Sequence, residues 1–397
     1  MDLRYAEADE QFREELRAWL ADSVPVEWRA PGYWFSLSTD ESFERRRDWE
    51  ASKAAAGFSG IDWPVEFGGR GGTPAQKAIH DEELARAGAP ITVNTLGLTF
   101  LAPTVMAIGS DAQKREIIGP LLRNEVIWCQ GFSEPDAGSD LAAVRTRGVL
   151  DGDEYVVNGQ KIWTSNALHA DRMFGLVRTH PGERKHQGLS MLLIDLHAPG
   201  VEVRPLRQLS GSLDFGEVFF TDARVPATAV LGTPGDGWKV AMLLLSFERG
   251  SSAMGQYTAF RRELDGLIAL ARRTERDGRP AIEDPAVRQR IANAHIELET
   301  LRLHSLHVLT QVEQGRALGA TSSLTKLQWS QTHQDLGDLF TEVTGLDHQL
   351  TGENADADPA ARALQRAFLW SRSETIWGGS SEIQRGIVAE QLLGLPR

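Results

Sequence analysis

The sequence predicts an α+β chain whose helices come first, whose strands occupy the middle and whose C-terminus is a helical bundle. Apolar residues recur at three-to-four spacing before about residue 125 and again after about 236, the period of an amphipathic helix. Between them the pattern switches to alternation punctuated by turn residues, the period of a strand. At 397 residues the chain is long enough for two or three packed units.

The expected domains are 1–125, helical; 126–235, an antiparallel β-domain; and 236–397, helical. In the first, Phe12, Leu16, Trp19 and Leu20 repeat at helical spacing, and Glu82–Arg86 and Asp111–Ile118 continue the pattern. "GIDWPVEFGGRGGTP" (60–74) is a loop, because Pro and Gly break both regular structures. In the second, "VRTRGVL" meets the turn "DGD", and "EYVV" and "QKIWTS" flank Asn158-Gly159, which reads as a hairpin turn. "MFGLVRT", "LSMLLIDL", "VEVRPL" and "EVFFTDARVP" read as further strands. In the third, "AVRQRIANAHIELETLRLHSLHVLTQVEQ" is a long helix, and "LTGENADADPAAR" (350–362) is a polar surface loop.

Composition narrows the function. The net charge of −13, from 42 basic and 55 acidic residues with no Lys/Arg run that provides a basic face, argues against a nucleic-acid partner. Cys129 is the only cysteine, so no intrachain disulfide forms, which fits a reducing cytoplasm. The acidic start "MDLRYAEADEQFREEL" has no apolar signal core, and the longest apolar stretch, "VAMLLLSF", is too short to span a bilayer. A soluble cytoplasmic protein is expected. No G-x-G-x-x-G follows a strand and no G-x-S-x-G is present, and "GTPGDGWK" lacks phosphate-loop spacing. His304 and His307 share a helix without a carboxylate partner, so no metal site is expected.

Three stretches carry chemistry. "WCQGFSEPDAGSDLAA" (128–143) is either a connector or a ligand loop offering the hydroxyls of Ser133 and Ser139. "NGQKIWTSNA" places Trp163 and Ser165 where the indole is either core or a cover for a flat ring. In "ETIWGGSSEIQRG" (374–386), Ser381-x-x-Gln384 reads as a capping box with Glu382 in the first helical turn. A fourth pattern concerns Glu248. Ala241, Leu244, Leu245 and Glu248 fall at i, i+3, i+4 and i+7, so a carboxylate lies on an apolar stripe that favours a raised pKa. Ser251, Ser252 and Gly255 extend that face with small residues that leave room for a substrate.

"GFSEPDAGSDLA", "VNGQKIWTSNA", "WPVEFGGRGG" and "IWGGSSEIQRGIVAEQLLG" resemble, in order and across the whole chain, the acyl-CoA dehydrogenases. The resemblance implies that fold, FAD as cofactor and α,β-desaturation of an acyl-CoA thioester. It implies flavin contacts from Phe132, Ser133, Gly138 and Ser139, packing by Trp163, a hydrogen bond from Ser165, and further cofactor contacts at Ser380 and Glu382. Ser139 and Arg249 would meet the substrate, and the Gly378 N–H would polarise the thioester carbonyl. Many relatives carry the base where this chain has Gly378; a minority carry it in a Glu-Arg pair matching Glu248-Arg249. Glu374 and Glu382 are rival bases.

The family also takes residues from a neighbouring subunit to hold the adenosine half of FAD. At those positions this chain has Thr274, Asp277 and Pro285, and "LFTEVTGLDHQL" has only Gly345. Either Arg272, Arg273 or Arg276 compensates, or the partner is a different chain, as in the similar actinobacterial α2β2 dehydrogenases of steroid side-chain CoA thioesters. The implied acceptor is an electron-transfer flavoprotein. A non-catalytic or half-site subunit, or an oxidase of the same fold, are the alternatives.

Overall fold

The structure is a computed structural model that describes residues 5–248, 253–316, 318–349 and 358–396. In chain order it runs α1 (Glu7–Ser23), α2 (Thr39–Ala55), α3 (Pro74–Ala87), α4 (Ala102–Ile108) and α5 (Asp111–Leu122), then eight strands. These are β1 (Trp128–Gly131), β2 (Arg147–Asp151), β3 (Glu154–Ser165), β4 (Arg172–Arg178), β5 (Leu189–Asp195), β6 (Val201–Leu206), β7 (Phe215–Pro226) and β8 (Val230–Leu231). Then follow α6 (Gly237–Glu248), α7 (Ala253–Arg273), a short hairpin of β9 (Glu275–Arg276) and β10 (Arg279–Pro280), and α8 (Pro285–Glu313). The chain ends in α9 (Thr321–Thr344), α10 (Pro359–Glu374) and α11 (Ser381–Ile387). Among the described residues no helix is long and apolar enough to cross a membrane.

By contact the chain divides into two units. One comprises 39–71 and 91–248; the other comprises the chain up to Ser38, 72–90 and the chain from 249 onward.

The first unit is built on the sheet, in the order β6-β7-β3-β2-β4-β5-β8, with β1 beside β4. The expectation of an antiparallel domain is corrected here. β1 runs parallel to β4, and β2 meets β4 in parallel at Arg147, so the sheet is mixed. The two uninterrupted apolar runs, β4 and β5, are central, because both faces of the sheet are covered. Phe174, Leu176, Met191 and Leu193 enter one cluster with Trp63, Leu121 and Leu244, while Met173, Val177, Leu192 and Ile194 enter another with Tyr155 and Val218. β3 and β7 alternate buried and exposed residues, as strands with one covered face do.

Asn158-Gly159 does not make the expected hairpin. The turn lies at Gly152-Asp153, and β3 runs straight through Asn158-Gly159 as a bulge against β7. Asn158 instead bonds Asp222 across the strands, its Nδ2 donating to the carboxylate at 2.9 Å. Glycine is needed because a Cβ at 159 would come within 2.7 Å of the Thr146 Cα, on a backbone at φ +146°.

The second unit is helical. Leu264, Leu267, Leu298, Leu301, Leu336 and Phe340 of α7, α8 and α9 share one apolar core. Local signals start these helices. Thr73 and Gln76 form a full capping box before α3, with Pro74 at the first turn, and Asp284 and Asp358 cap α8 and α10 ahead of Pro285 and Pro359. The expected loop over 350–362 is therefore corrected at its far end, which is already α10; residues 350–357 lie outside the described residues. Gly255 is also corrected. Its missing side chain lets α7 approach α3, where a Cβ would lie 3.3 Å from the Asp81 Cβ, rather than making space for a substrate.

Candidate active site

The polar loop after β1 is held from beneath by a charge. Lys161 on β3 is fully buried, and its Nζ donates to the Phe132 carbonyl at 3.1 Å, the Leu176 carbonyl at 2.7 Å and Glu134 Oε1 at 2.8 Å. Glu134 also accepts the backbone N–H groups of Arg145 at 2.5 Å and Thr146 at 2.9 Å. Burial pulls the ammonium down to about 8, against the attraction of Glu134, so it is still mainly protonated near neutrality. Burial pushes the Glu134 carboxyl up, but the Lys161 charge and the backbone donors outweigh this and hold it below its ordinary value. Both halves of the pair are therefore charged. Glu134 and Ala137 close a tight turn through reciprocal backbone bonds of 3.0 Å.

This anchor carries the residues expected to meet a flavin. Phe132 is buried below the loop, Ser133 is half-buried, and Gly138 and Ser139 are exposed with open space at the Gly138 Cα. The Ser133 carbonyl accepts the Ile162 N–H at 3.0 Å, which ties the loop to the strand one residue before Trp163. Trp163 sits in the left-handed region at φ +58°, unusual for a bulky residue, where the pairing of β3 with β7 shifts register between Lys161 and Thr164. The result is a large indole that is 56% exposed yet fixed, packed edge-on against Phe215 at 5.9 Å between ring centroids. Ser165 follows, half-buried. A rigid, exposed aromatic face beside hydroxyls and an open glycine suits the ring and linker of a flavin.

The motif Lys161–Glu134 is the part that sequence reading missed. Both residues stand inside quoted stretches, but a lysine within a strand ordinarily reads as surface. Lys161→Met should destabilise this unit by about 3–5 kcal/mol, because the Glu134 charge and two carbonyls lose their donor. Denaturant unfolding read on the intrinsic tryptophan signal checks it.

In the helical unit, the turn 375–380 links α10 to α11. Glu374 is buried, and His333 Nδ1 lies 2.5 Å from its carboxylate, with Glu263 3.0 Å from Nε2. Burial pulls the imidazole down, but the two carboxylates more than reverse this and raise it to about 10. Glu374 is thus spoken for by an imidazolium. Lys326 Nζ donates to its backbone carbonyl as well. Glu382 is exposed in the first turn of α11, where a backbone N–H and Ser380 hold it below its ordinary value. The expected capping box does not form: Ser380, not Ser381, is the N-cap and accepts the Ile383 N–H at 3.3 Å, and the isoleucine at that position has no side-chain acceptor to return a bond. Gln384 is turned inward instead. Gly378 and Gly379 have φ of +65° and +85°.

Glu248 closes α6, on which Ala241 and Leu244 are buried as the stripe predicts; its side chain, and all of Arg249, Ser251 and Ser252, lie outside the described residues. Of the arginines near the hairpin, Arg273 is paired with Asp358, and Arg276 donates to the Glu342 carbonyl at 2.9 Å with Asp284 at 3.9 Å. Arg272 is exposed. His304 and His307 bond Thr325 and Gln311.

Comparison with known proteins agrees with the helix–sheet–helix order of the chain. The models "Acyl-CoA dehydrogenase, N-terminal domain", "middle domain" and "C-terminal domain" match residues 6–125, 129–223 and 235–393. This chain belongs to the acyl-CoA dehydrogenase family. Among its relatives is the acyl-CoA dehydrogenase IpdE1 of Mycobacterium tuberculosis, 44% identical over 391 residues and 98% of each chain. Among solved structures it resembles the ChsE4-ChsE5 complex from Mycobacterium tuberculosis, with TM-score 0.85, 31% identity and 100% of both chains covered. The Tcur3481-Tcur3483 steroid ACAD gives 0.84 and 30%, again over both whole chains. As an acyl-CoA dehydrogenase the chain is a flavoprotein oxidoreductase with FAD as its cofactor.

Proposed function

We propose that this acyl-CoA dehydrogenase desaturates an acyl-CoA thioester at the α,β position, with Glu248 as base, as one kind of chain in an assembly with a second, related kind. The chemistry that bound FAD would supply is acceptance of the β-hydrogen as hydride. The chain's own residues do the rest. Glu248 takes the α-proton onto its carboxylate, and Arg249 meets the substrate. The Gly378 N–H donates to the thioester oxygen as negative charge develops there. Trp163 would cover the ring, Ser133, Ser139 and Ser165 would bond its edge and linker, and Phe132 and Gly138 would complete that cradle; Ser380 and Glu382, in the helical unit, are further proposed cofactor contacts. The observation that carries this reading is the indole of Trp163, exposed and yet fixed in a left-handed backbone beside the Lys161-anchored loop. A conformation that costs of order 1–3 kcal/mol is explicable where a ligand uses it.

The second kind of chain is supported by the arginines. Arg273 and Arg276 are occupied by acidic or carbonyl partners of their own unit, which leaves them poor candidates for a neighbour's pyrophosphate. The names ChsE4-ChsE5 and Tcur3481-Tcur3483 each join two components, the first called a complex and the second a steroid ACAD. A steroid-derived acyl-CoA is accordingly the proposed substrate class, and an electron-transfer flavoprotein the proposed acceptor. The test is FAD counted per polypeptide from the visible spectrum, for the chain alone and purified with a co-expressed related chain. Substoichiometric flavin alone, restored by the second chain and bleached anaerobically by acyl-CoA, is expected. A homotetramer with one FAD per chain overturns the two-chain reading.

A further inference from the structure

The side chain of Gln384 has no part in the reading above, yet it is 1% exposed and points back into the turn it follows. Its Nε2 donates to the Gly378 carbonyl at 2.8 Å, and its Oε1 is buried with no partner among the described residues. A buried amide oxygen left unpaired is costly, so the inward rotamer needs a compensating reason. That reason lies in the turn. Gly378 and Gly379 both occupy positive φ, and a glycine pair of this kind is intrinsically free to flip. The flanks are pinned: the Trp377 N–H bonds the Ser373 carbonyl at 3.0 Å, and the Ser381 N–H bonds the Thr375 carbonyl at 2.9 Å. Among the described residues, Gln384 alone holds the peptide between Gly378 and Gly379 by a hydrogen bond. Among the described residues no acceptor takes the Gly378 N–H.

We propose that Gln384 is a positioning residue for the reaction: it locks the Gly378 carbonyl so that the Gly378 N–H is held free and aimed for the thioester oxygen. The two torsions of Gly378 connect the peptide that donates to the substrate with the peptide that Gln384 grips. Releasing the carbonyl lets the donor swing, and carbonyl polarisation falls while the proton base is untouched. Gly379 is part of the same device, since a Cβ there would come within 2.5 Å of the Gln384 Nε2. The proposal rests on the desaturation reading, in which the Gly378 N–H meets the thioester.

The probe is 3-thiaoctanoyl-CoA, which can lose its α-proton but cannot pass a hydride onward. Its enolate against oxidised flavin gives a long-wavelength charge-transfer band. The pH midpoint of that band is read for the flavin-loaded protein, with its second chain where flavin retention needs one, as wild type, Gln384→Met and Gly379→Ala. Both variants should move the midpoint upward by about one pH unit, a tenfold loss of acidification, with flavin content retained. Gly379→Ala stands in should Gln384→Met fail to fold. An unchanged midpoint in a flavin-loaded variant overturns the role of Gln384. A wild-type protein that binds the analogue without forming the band at any pH overturns the desaturation reading itself.

Discussion

Replacing Glu248 by glutamine should lower the rate of flavin reduction by acyl-CoA about 10²–10⁴-fold while flavin remains bound. Glutamine keeps the size and removes the proton acceptor, so a loss confined to the chemical step is the signature. The two carboxylates that flank the Gly-Gly turn in sequence are poor rivals for that role. Glu374 is buried against the His333 imidazolium, and Glu382 is exposed at a helix N-terminus, where the dipole favours the anion without making it a strong base. Single-turnover reduction by a fixed acyl-CoA, with the oxidised spectrum as the occupancy control, decides the matter. A rate within a few-fold of wild type would remove Glu248 from the role of base.

His333→Gln should destabilise the helical unit by about 3–5 kcal/mol near pH 6, because Glu263 and Glu374 would lose the cation that lies between them. The pH dependence has a definite sign. The imidazole is raised from 6.5 to about 10 in the folded chain, so its stabilisation is complete below about 6.5 and disappears as pH rises through about 10. Wild type should therefore lose stability across that window more steeply than the variant, and the two should converge at its upper end. Urea unfolding at pH 6, 8 and 9.5 measures this. A gap that stays constant with pH would mean that packing on Phe260, whose ring lies 4.3 Å away, matters more than charge.

The helix–sheet–helix order was legible because it depends on periodicity, and periodicity survives in a single sequence. The mixed character of the sheet was not, because β1 pairs with β4 across more than forty residues and no local residue states that register. Asn158-Gly159 misled for a related reason. Its preference for positive φ serves a bulge as well as a hairpin, and the close approach of Thr146 decides between them. In the candidate site, the hydroxyls and Trp163 could be picked out by type and spacing. The left-handed twist that exposes the indole could not, and neither could the inward turn of Lys161 and Gln384. Each depends on a partner in another element, Glu134 and Leu176 for one and Gly378 for the other.

The grip of Lys161 has a dynamic consequence. Its three acceptors come from the start of the polar loop, from the turn within it and from β4 at the centre of the sheet. The loop therefore cannot fray by itself: opening it strips a buried ammonium of its acceptors, so it melts with the sheet as one cooperative unit. Most ligand loops belong to the least stable part of a protein, and their ordering is charged against affinity. Here the ordering is built into the loop by its own buried ion pair and the carbonyls that Lys161 holds. Weak retention of flavin by the isolated chain, where it is found, would trace to missing contacts and not to a disordered pocket.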